Sequence, residues 1–225
     1  MEKMISVVVC TMNEEDVLEP CLKLLREQEV PCEIVVVDAH SKDNTLKIAK
    51  KYADKVVFDN GRGLSDARNV GWKNSSLDIV AYCDSDSLPR IDWTKNIIKL
   101  IEGNYCVSGP IIPYDGTLMT KIGFYMWANL DPRLLAKIGW NNVWGANMAF
   151  RKKILEKFPF RCKFLEDYDM GIQLRHTGKV KFHKDMALPV SARRFDKGFH
   201  RTCIKFYLRE WVKRKIFRKS TTGYF

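Results

Sequence analysis

The sequence has no run of about 18 apolar residues, so nothing in it reads as a segment that crosses a bilayer by itself. It has no C-x-x-C among its seven cysteines at positions 10, 21, 32, 83, 106, 162 and 203, and an odd number cannot all pair within one chain. Most of these thiols are therefore expected as small core residues. No G-x-G-x-x-G follows the first apolar run, which excludes a Rossmann dinucleotide site, and no P-loop motif is present. Internal repeats and low-complexity segments are missing as well. The start, Met1-Glu2-Lys3-Met4, does not read as a signal peptide, because the apolar run after it is short and turns polar at Thr11. The expected location is the cytoplasm.

Acids are scarce in one place. Residues 193–219 hold eleven Lys/Arg and two acids, whereas the whole chain is formally +11. The remainder has 27 basic and 25 acidic residues and is near neutral. A tail so charged suits the cytoplasmic face of an anionic membrane, as a peripheral contact, or nucleic acid. Nucleic acid is the weaker of the two, because a binding module would not need the ordered acids of the body. Within the tail, Ile204, Leu208 and Trp211 recur at i, i+4 and i+7, with Tyr207 beside Trp211. That face also suits packing on the body of the protein or in a homodimer.

What is present is one large core's worth of chain: 225 residues, 46% hydrophobic. Short apolar runs at Ile5–Cys10, Ile34–Val37, Val56–Phe58, Ile79–Cys83 and Cys106–Gly109 read as strands. Helical spacing over Asn13–Gln28, Asn44–Tyr52, Leu64–Asn74 and Asp92–Glu102 separates them. The alternation predicts an α/β fold with a mostly parallel, Rossmann-like sheet. A further strand is expected over Val143–Phe150, a helix over Asp167–His176 ended by Gly178, and a short strand over Val180–Phe182. The expected division is 1–192 as one domain in two parts, 1–113 and 114–192. Residues 193–225 form the basic helical tail. Residues 117–144 carry more large apolar side chains than one helical face can bury, so some of them line a pocket or meet a membrane or partner.

The most telling pattern is Asp84-Ser85-Asp86, directly after Ile79–Cys83. Carboxylates at the C-terminal end of a buried strand stand where ligands of open α/β sheets collect. At i, i+2 they suit a hard divalent cation gripping a diphosphate, or the cap of a turn. Thr11-Met12-Asn13-Glu14 ends the first strand, and Asp38 ends the second. Asp38 is a candidate for a ribose hydroxyl or base N–H, whereas Ser41, Asp43 and Thr45 read as scaffold. Arg68, inside Ala67-Arg68-Asn69-Val70-Gly71, is a candidate phosphate ligand, or one half of an ion pair. Gly145-Ala146-Asn147 puts two small residues and an amide where a bulky ligand can approach backbone. Asp167, after Glu166, reads as a helix cap or as a general base.

Taken in order, these motifs resemble the family 2 glycosyltransferases, an inverting group with the GT-A fold, over residues 4–183. The resemblance implies that Thr11, Asn13, Glu14 and Asp38 hold the nucleoside, and that Arg68 and Asn147 face the donor. It implies Asp84 at ribose or metal, Asp86 as principal ligand of Mg²⁺ or Mn²⁺, and Asp167 as catalytic base. His183 is a candidate further metal ligand, or a structural residue. The donor implied is a nucleoside diphosphate sugar, UDP- or GDP-linked, and the acceptor a saccharide or a polyprenyl phosphate. The family's late Q-x-x-R-W is replaced by Arg193-Arg194-Phe195, a departure that argues against the processive polysaccharide synthases. A non-catalytic α/β protein that binds nucleic acid or membrane through its tail is the competing expectation.

Overall fold

The computed structural model describes residues 4–126, 143–161, 166–174, 177 and 179–196. The helical face at Ile204–Trp211, the aromatic residues between 127 and 142, His176 and Gly178 lie outside the described residues, as do Cys162 and Cys203.

Among the described residues nine strands alternate with helices: β1 (Ile5–Thr11), α1 (Leu18–Arg26), β2 (Cys32–Asp38), α2 (Thr45–Tyr52), β3 (Lys55–Phe58), α3 (Leu64–Asn74), β4 (Ile79–Cys83), α4 (Trp93–Leu100), β5 (Cys106–Ser108) and β6 (Ile111–Pro113). Helix α5 starts at 118 and is described through 126. Then follow β7 (Asn147–Arg151), α6 (Lys152–Lys157), α7 (Glu166–Leu174), β8 (Val180–Phe182), a 3₁₀ turn (Lys184–Met186), β9 (Leu188–Val190) and α8 (Arg193–Asp196).

Seven strands form one sheet in the order β3-β2-β1-β4-β7-β5-β8, and β6 pairs with β9 in a small second sheet. All ladders of the large sheet are parallel except those of β7, which runs against both β4 and β5. The start of β7 therefore lies at the same edge as the ends of β1, β2 and β4. Strand β7 comes from the 114–192 segment and sits between two strands of 1–113, so the large sheet is continuous across that division.

Strands β1, β2 and β4 are buried almost throughout, which is why they read as unbroken apolar runs without alternation. Helix α1 lays Leu18, Cys21, Leu22 and Leu25 into the core. Each buried leucine contributes about 1.5–3 kcal/mol relative to exposure. Helix α3 approaches β1 so closely that a Cβ on Gly71 would stand 2.3 Å from Val8 Cγ1. The described cysteines are free thiols, and burial pushes the Cys10 thiol up to about 12. They serve as core residues, as expected.

Two boundaries differ from expectation by more than two residues. Helix α1 begins at Leu18, not Asn13, because Asn13 takes a left-handed φ of 54° and Glu14 caps a turn through Val17 N–H and Leu18 N–H. Strand β7 begins at Asn147, not Val143, because Asn147 N–H returns to Trp144 O at 2.8 Å in a tight turn.

Candidate active site

The ends of β1 and β2 are stitched into one scaffold. Asn13 N–H donates to Ser41 Oγ at 2.9 Å, and Lys42 N–H donates to Asn13 Oδ1 at 2.8 Å. Glu14 N–H donates to Thr45 Oγ1 at 2.8 Å, and Glu15 N–H donates to Asp43 Oδ2 at 3.1 Å. Ser41, Asp43 and Thr45 are thus scaffold, as expected. Asn13 is exposed, and its carbonyl oxygen braces the neighbouring loop. Asp38 is buried and accepts from Thr11 Oγ1 (3.2 Å), Ser41 Oγ (2.6 Å) and Ser41 N–H (2.9 Å). A carboxylate has about four acceptor positions, and these bonds fill three of those of Asp38.

Beyond β4, Ser87 N–H returns to Asp84 O at 3.1 Å, closing a turn that separates the two carboxylates. Asp84 remains partly open, whereas Asp86 is buried. Burial, with Asp84 beside it, pushes the Asp86 carboxyl up to about 6 against the opposing pull of Arg194 and Arg193. Arg193 Nε donates to Asp86 Oδ2 at 3.2 Å.

Arg68 stands under Asp84. Its guanidinium is 3% exposed, forms an ion pair with Glu166, and lies 4.0 Å from Asp84 Oδ1. The rings of Tyr82 and Phe160 flank it at 5.9 and 5.6 Å. Arg68 is therefore corrected from a phosphate ligand to a buried group that positions two acids. The small residue at 145 has the same cause: a Cβ there would stand 2.4 Å from Arg68 Nη2. The space is filled by Arg68, not kept for a ligand.

Asp167 stands in the first turn of α7. Its Oδ2 accepts Gly145 N–H at 3.0 Å and its Oδ1 accepts Tyr168 N–H at 2.7 Å. Burial raises its carboxyl above the ordinary aspartate value, against the pull of Arg68 and these two N–H groups. Glu166, buried beside it, is pushed up to about 7 by the same desolvation, against Arg68. Asp167 is thus held in one orientation with a raised proton affinity.

Two expectations fail at this edge. Asn147 is fully buried and its amide is spent inside the protein. Its Nδ2 donates to Pro110 O at 3.1 Å and to Met186 O, and its Oδ1 accepts Trp93 Nε1–H at 3.1 Å. His183 follows β8, three ladder steps from β4, or about 14 Å at ordinary strand spacing. Its Nδ1 accepts Asp185 N–H at 3.3 Å and caps the 3₁₀ turn, so it does not join Asp84 and Asp86.

Two residues were not foreseen in contact with this edge. Arg193 Nη2 donates to Glu14 Oε2, and Arg194 Nη2 donates to Glu14 Oε1 at 2.9 Å. Both oxygens of Glu14 are thus engaged by these arginines in the free protein. Only the basic Arg193-Arg194 pair at the Q-x-x-R-W position signalled this, and nothing in the sequence tied it to residues 14 and 86.

Among the described residues, no group of three or more His, Cys, Asp or Glu is arranged to hold a metal ion. The described residues offer hard oxygens in Asp84 and Asp86. That set fits Mg²⁺ or Mn²⁺, which are commonly held by one or two carboxylates with water and substrate phosphates.

A mostly parallel seven-stranded sheet flanked by helices, with Asp84 and Asp86 just beyond β4, is a fold of GT-A type. The sequence matches the model described as glycosyl transferase family 2 over residues 6–158, and the chain belongs to that family. It is 31% identical over 108 residues to "Glycosyltransferase AglE" of Haloferax volcanii, covering 44% of this chain and 36% of that protein. Its fold is similar to the mannosyltransferase PcManGT of Pyrobaculum calidifontis, solved with GDP-Man and Mn²⁺. The TM-score is 0.68 at 23% identity, over 85% of this chain and 57% of that one. Glucosyl-3-phosphoglycerate synthase of Mycobacterium tuberculosis, solved with Mn²⁺, UDP and glucosyl-3-phosphoglycerate, gives 0.63 at 20% identity, over 82% and 70%. The chain spans about a third of the length of AglE and over half that of PcManGT.

Proposed function

We propose that this chain transfers a sugar, with inversion, from a UDP- or GDP-linked donor to an acceptor hydroxyl or phosphate. The observation that carries the reading is the meeting of Asp84 and Asp167 around Arg68, with Asp86 one turn away. Asp38 orients the base or ribose through its remaining acceptor position. Asp84 and Asp86 hold the divalent cation, which when bound stabilises the charge that grows on the departing diphosphate. Asp167 takes the acceptor proton, and its hydrogen bonds to Gly145 and Tyr168 fix which oxygen face is presented. Arg68 holds Asp84 and Glu166 in place beneath the reacting groups. The test is release of nucleoside diphosphate from a panel of UDP and GDP sugars with Mn²⁺ and simple saccharide or lipid phosphate acceptors. No release with any donor, together with no nucleotide binding by calorimetry, sinks the reading.

A second observation bears on the acceptor. Leu118, Met119, Ile122, Tyr125 and Met126 of α5 are exposed, as are Ile112 of β6 and Tyr114 just after it. This apolar face favours an acceptor with an apolar portion, such as a polyprenyl phosphate, presented at an anionic membrane surface. Among the described residues no helix is long and apolar enough to cross a membrane, so the contact proposed is peripheral. Flotation with neutral and anionic vesicles decides it: a chain that stays unbound to both at low salt has a water-soluble acceptor.

A further inference from the structure

The donor edge is closed by a pair of cations from the far end of the described chain. Arg193 bridges Glu14 and Asp86, and Arg194 holds the second oxygen of Glu14. Glu14 and Asp86 are buried acids from the ends of different strands, so the pair of arginines neutralises two charges that would otherwise stand unpaired. Arg193 is half-buried and Arg194 exposed, so both remain within reach of a ligand entering from solvent.

The strand that delivers them is anchored independently. Leu88 N–H donates to Pro189 O at 2.8 Å, and Ser191 N–H to Asp86 O at 3.2 Å. Asp115 accepts Ser191 Oγ–H and Ala192 N–H, each at 2.6 Å. With the backbone fixed up to Ala192, a change of partner needs only the two side chains to move.

We propose that Arg193 and Arg194 form a latch, resting on Glu14 and Asp86 in the free protein and passing to the donor's diphosphate when a divalent cation takes Asp86. The inference rests on the transferase reading and extends it. Arg193 and the cation compete for the same Asp86 carboxylate. A planar guanidinium fork matches phosphate oxygens as well as carboxylate oxygens, so the displaced arginines have a second set of acceptors once the diphosphate arrives. The latch keeps the acids neutralised when the site is empty and makes the cation bind well only together with the anion that receives the arginines.

The competition gives effects of opposite sign, which an ordinary structural role does not. Mn²⁺ binding is read by electron paramagnetic resonance on the whole chain, for wild type, Arg193→Met and Arg194→Met. With Mn²⁺ alone, Arg193→Met is expected to bind several-fold more tightly than wild type, because the competitor is gone. With Mn²⁺ saturating, UDP or GDP is expected to bind both variants about tenfold more weakly, by calorimetry. Equal or weaker Mn²⁺ binding by Arg193→Met overturns the latch, and unchanged nucleotide affinity overturns the transfer to phosphate. Mn²⁺ that binds none of the three proteins, with or without nucleotide, overturns the metal reading and the latch with it. Arg194 is exposed, so Arg194→Met carries the nucleotide arm even if Arg193→Met does not fold.

Discussion

The guanidinium of Arg68 and the carboxylate of Glu166 form a buried ion pair between α3 and α7, 98 residues apart in sequence. The pair ties α3, which packs on β1 and β2, to the helix that carries Asp167. It also explains why Asp84 and Asp167 share one electrostatic environment: Arg68 lowers the proton affinity of Glu166 and Asp167 while burial raises both.

Breaking that pair from one side is expected to be costly. Arg68→Met leaves Glu166 buried beside Asp167 without its cation and should destabilise the fold by about 3–5 kcal/mol. The double variant Arg68→Met/Glu166→Gln removes both charges and should recover a large part of the loss. Urea unfolding at pH 7 measures both, and a double variant no more stable than the single one refutes the pairing account.

Asp167→Asn keeps the shape of the side chain and removes the proton acceptor. Transfer to a hydroxyl acceptor should fall about 100-fold or more, with donor binding retained. Because the folded carboxyl lies above its ordinary value, activity should fade, as pH drops, at a pH above the usual aspartate range of about 4. Full-rate turnover by Asp167→Asn excludes it as the base.

Asp86 should show a conflict between stability and binding. Its carboxyl is pushed up to about 6 by burial, above the unfolded value of about 3.9. The folded state therefore binds the proton more strongly, and the stabilisation present below about pH 4 is lost as pH rises through about 6. In EDTA, Asp86→Asn should lack this loss, gaining little on wild type near pH 4 and about 1–3 kcal/mol by pH 7. It should also lose Mn²⁺-dependent nucleotide binding. Thermal melts across that range, with calorimetry at pH 7, check both halves.

Glu33 should behave in the opposite sense. Burial raises its carboxyl, but hydrogen bonds from Ser6, Ser76 and Lys55 outweigh that and leave it at about 2. Its contribution is present above the unfolded value of about 4.3 and is lost as pH falls through about 2. Glu33→Gln should cost about 2–3 kcal/mol at pH 7 and progressively less below pH 4. A cost independent of pH would mean that packing, not charge, is what Glu33 supplies.

The strands were readable because β1, β2 and β4 are buried on both faces, and burial on both faces writes itself as an unbroken β-branched run. Asp38, Asp84 and Asp86 were readable because they directly follow such runs. The small sheet of β6 and β9 was not, since each strand has three residues, one of them proline, and neither shows a period. Asn147 and His183 were misplaced for a different reason. Sequence gives the residue type at a strand end, but whether its polar atoms face a ligand or Pro110, Met186 and Asp185 is settled by distant packing. The contacts of Arg193 and Arg194 with Glu14 span about 180 positions, beyond the reach of any local pattern.

The reversed strand β7 has a consequence for how the chain is made. Strand β4 carries the central acids, and its second neighbour is β7, which lies 64 or more positions further along (Cys83 to Asn147). During synthesis at about 5–20 residues per second, Ile79–Cys83 therefore waits roughly 3–13 s with one edge unpaired. That edge is short, uncharged and apolar, a template for pairing with the wrong strand. The arrangement that gathers the site at one edge of the sheet thus makes the nascent chain most vulnerable at the strand that bears it, and a ribosome stalled before β7 exposes that strand for as long as the stall lasts.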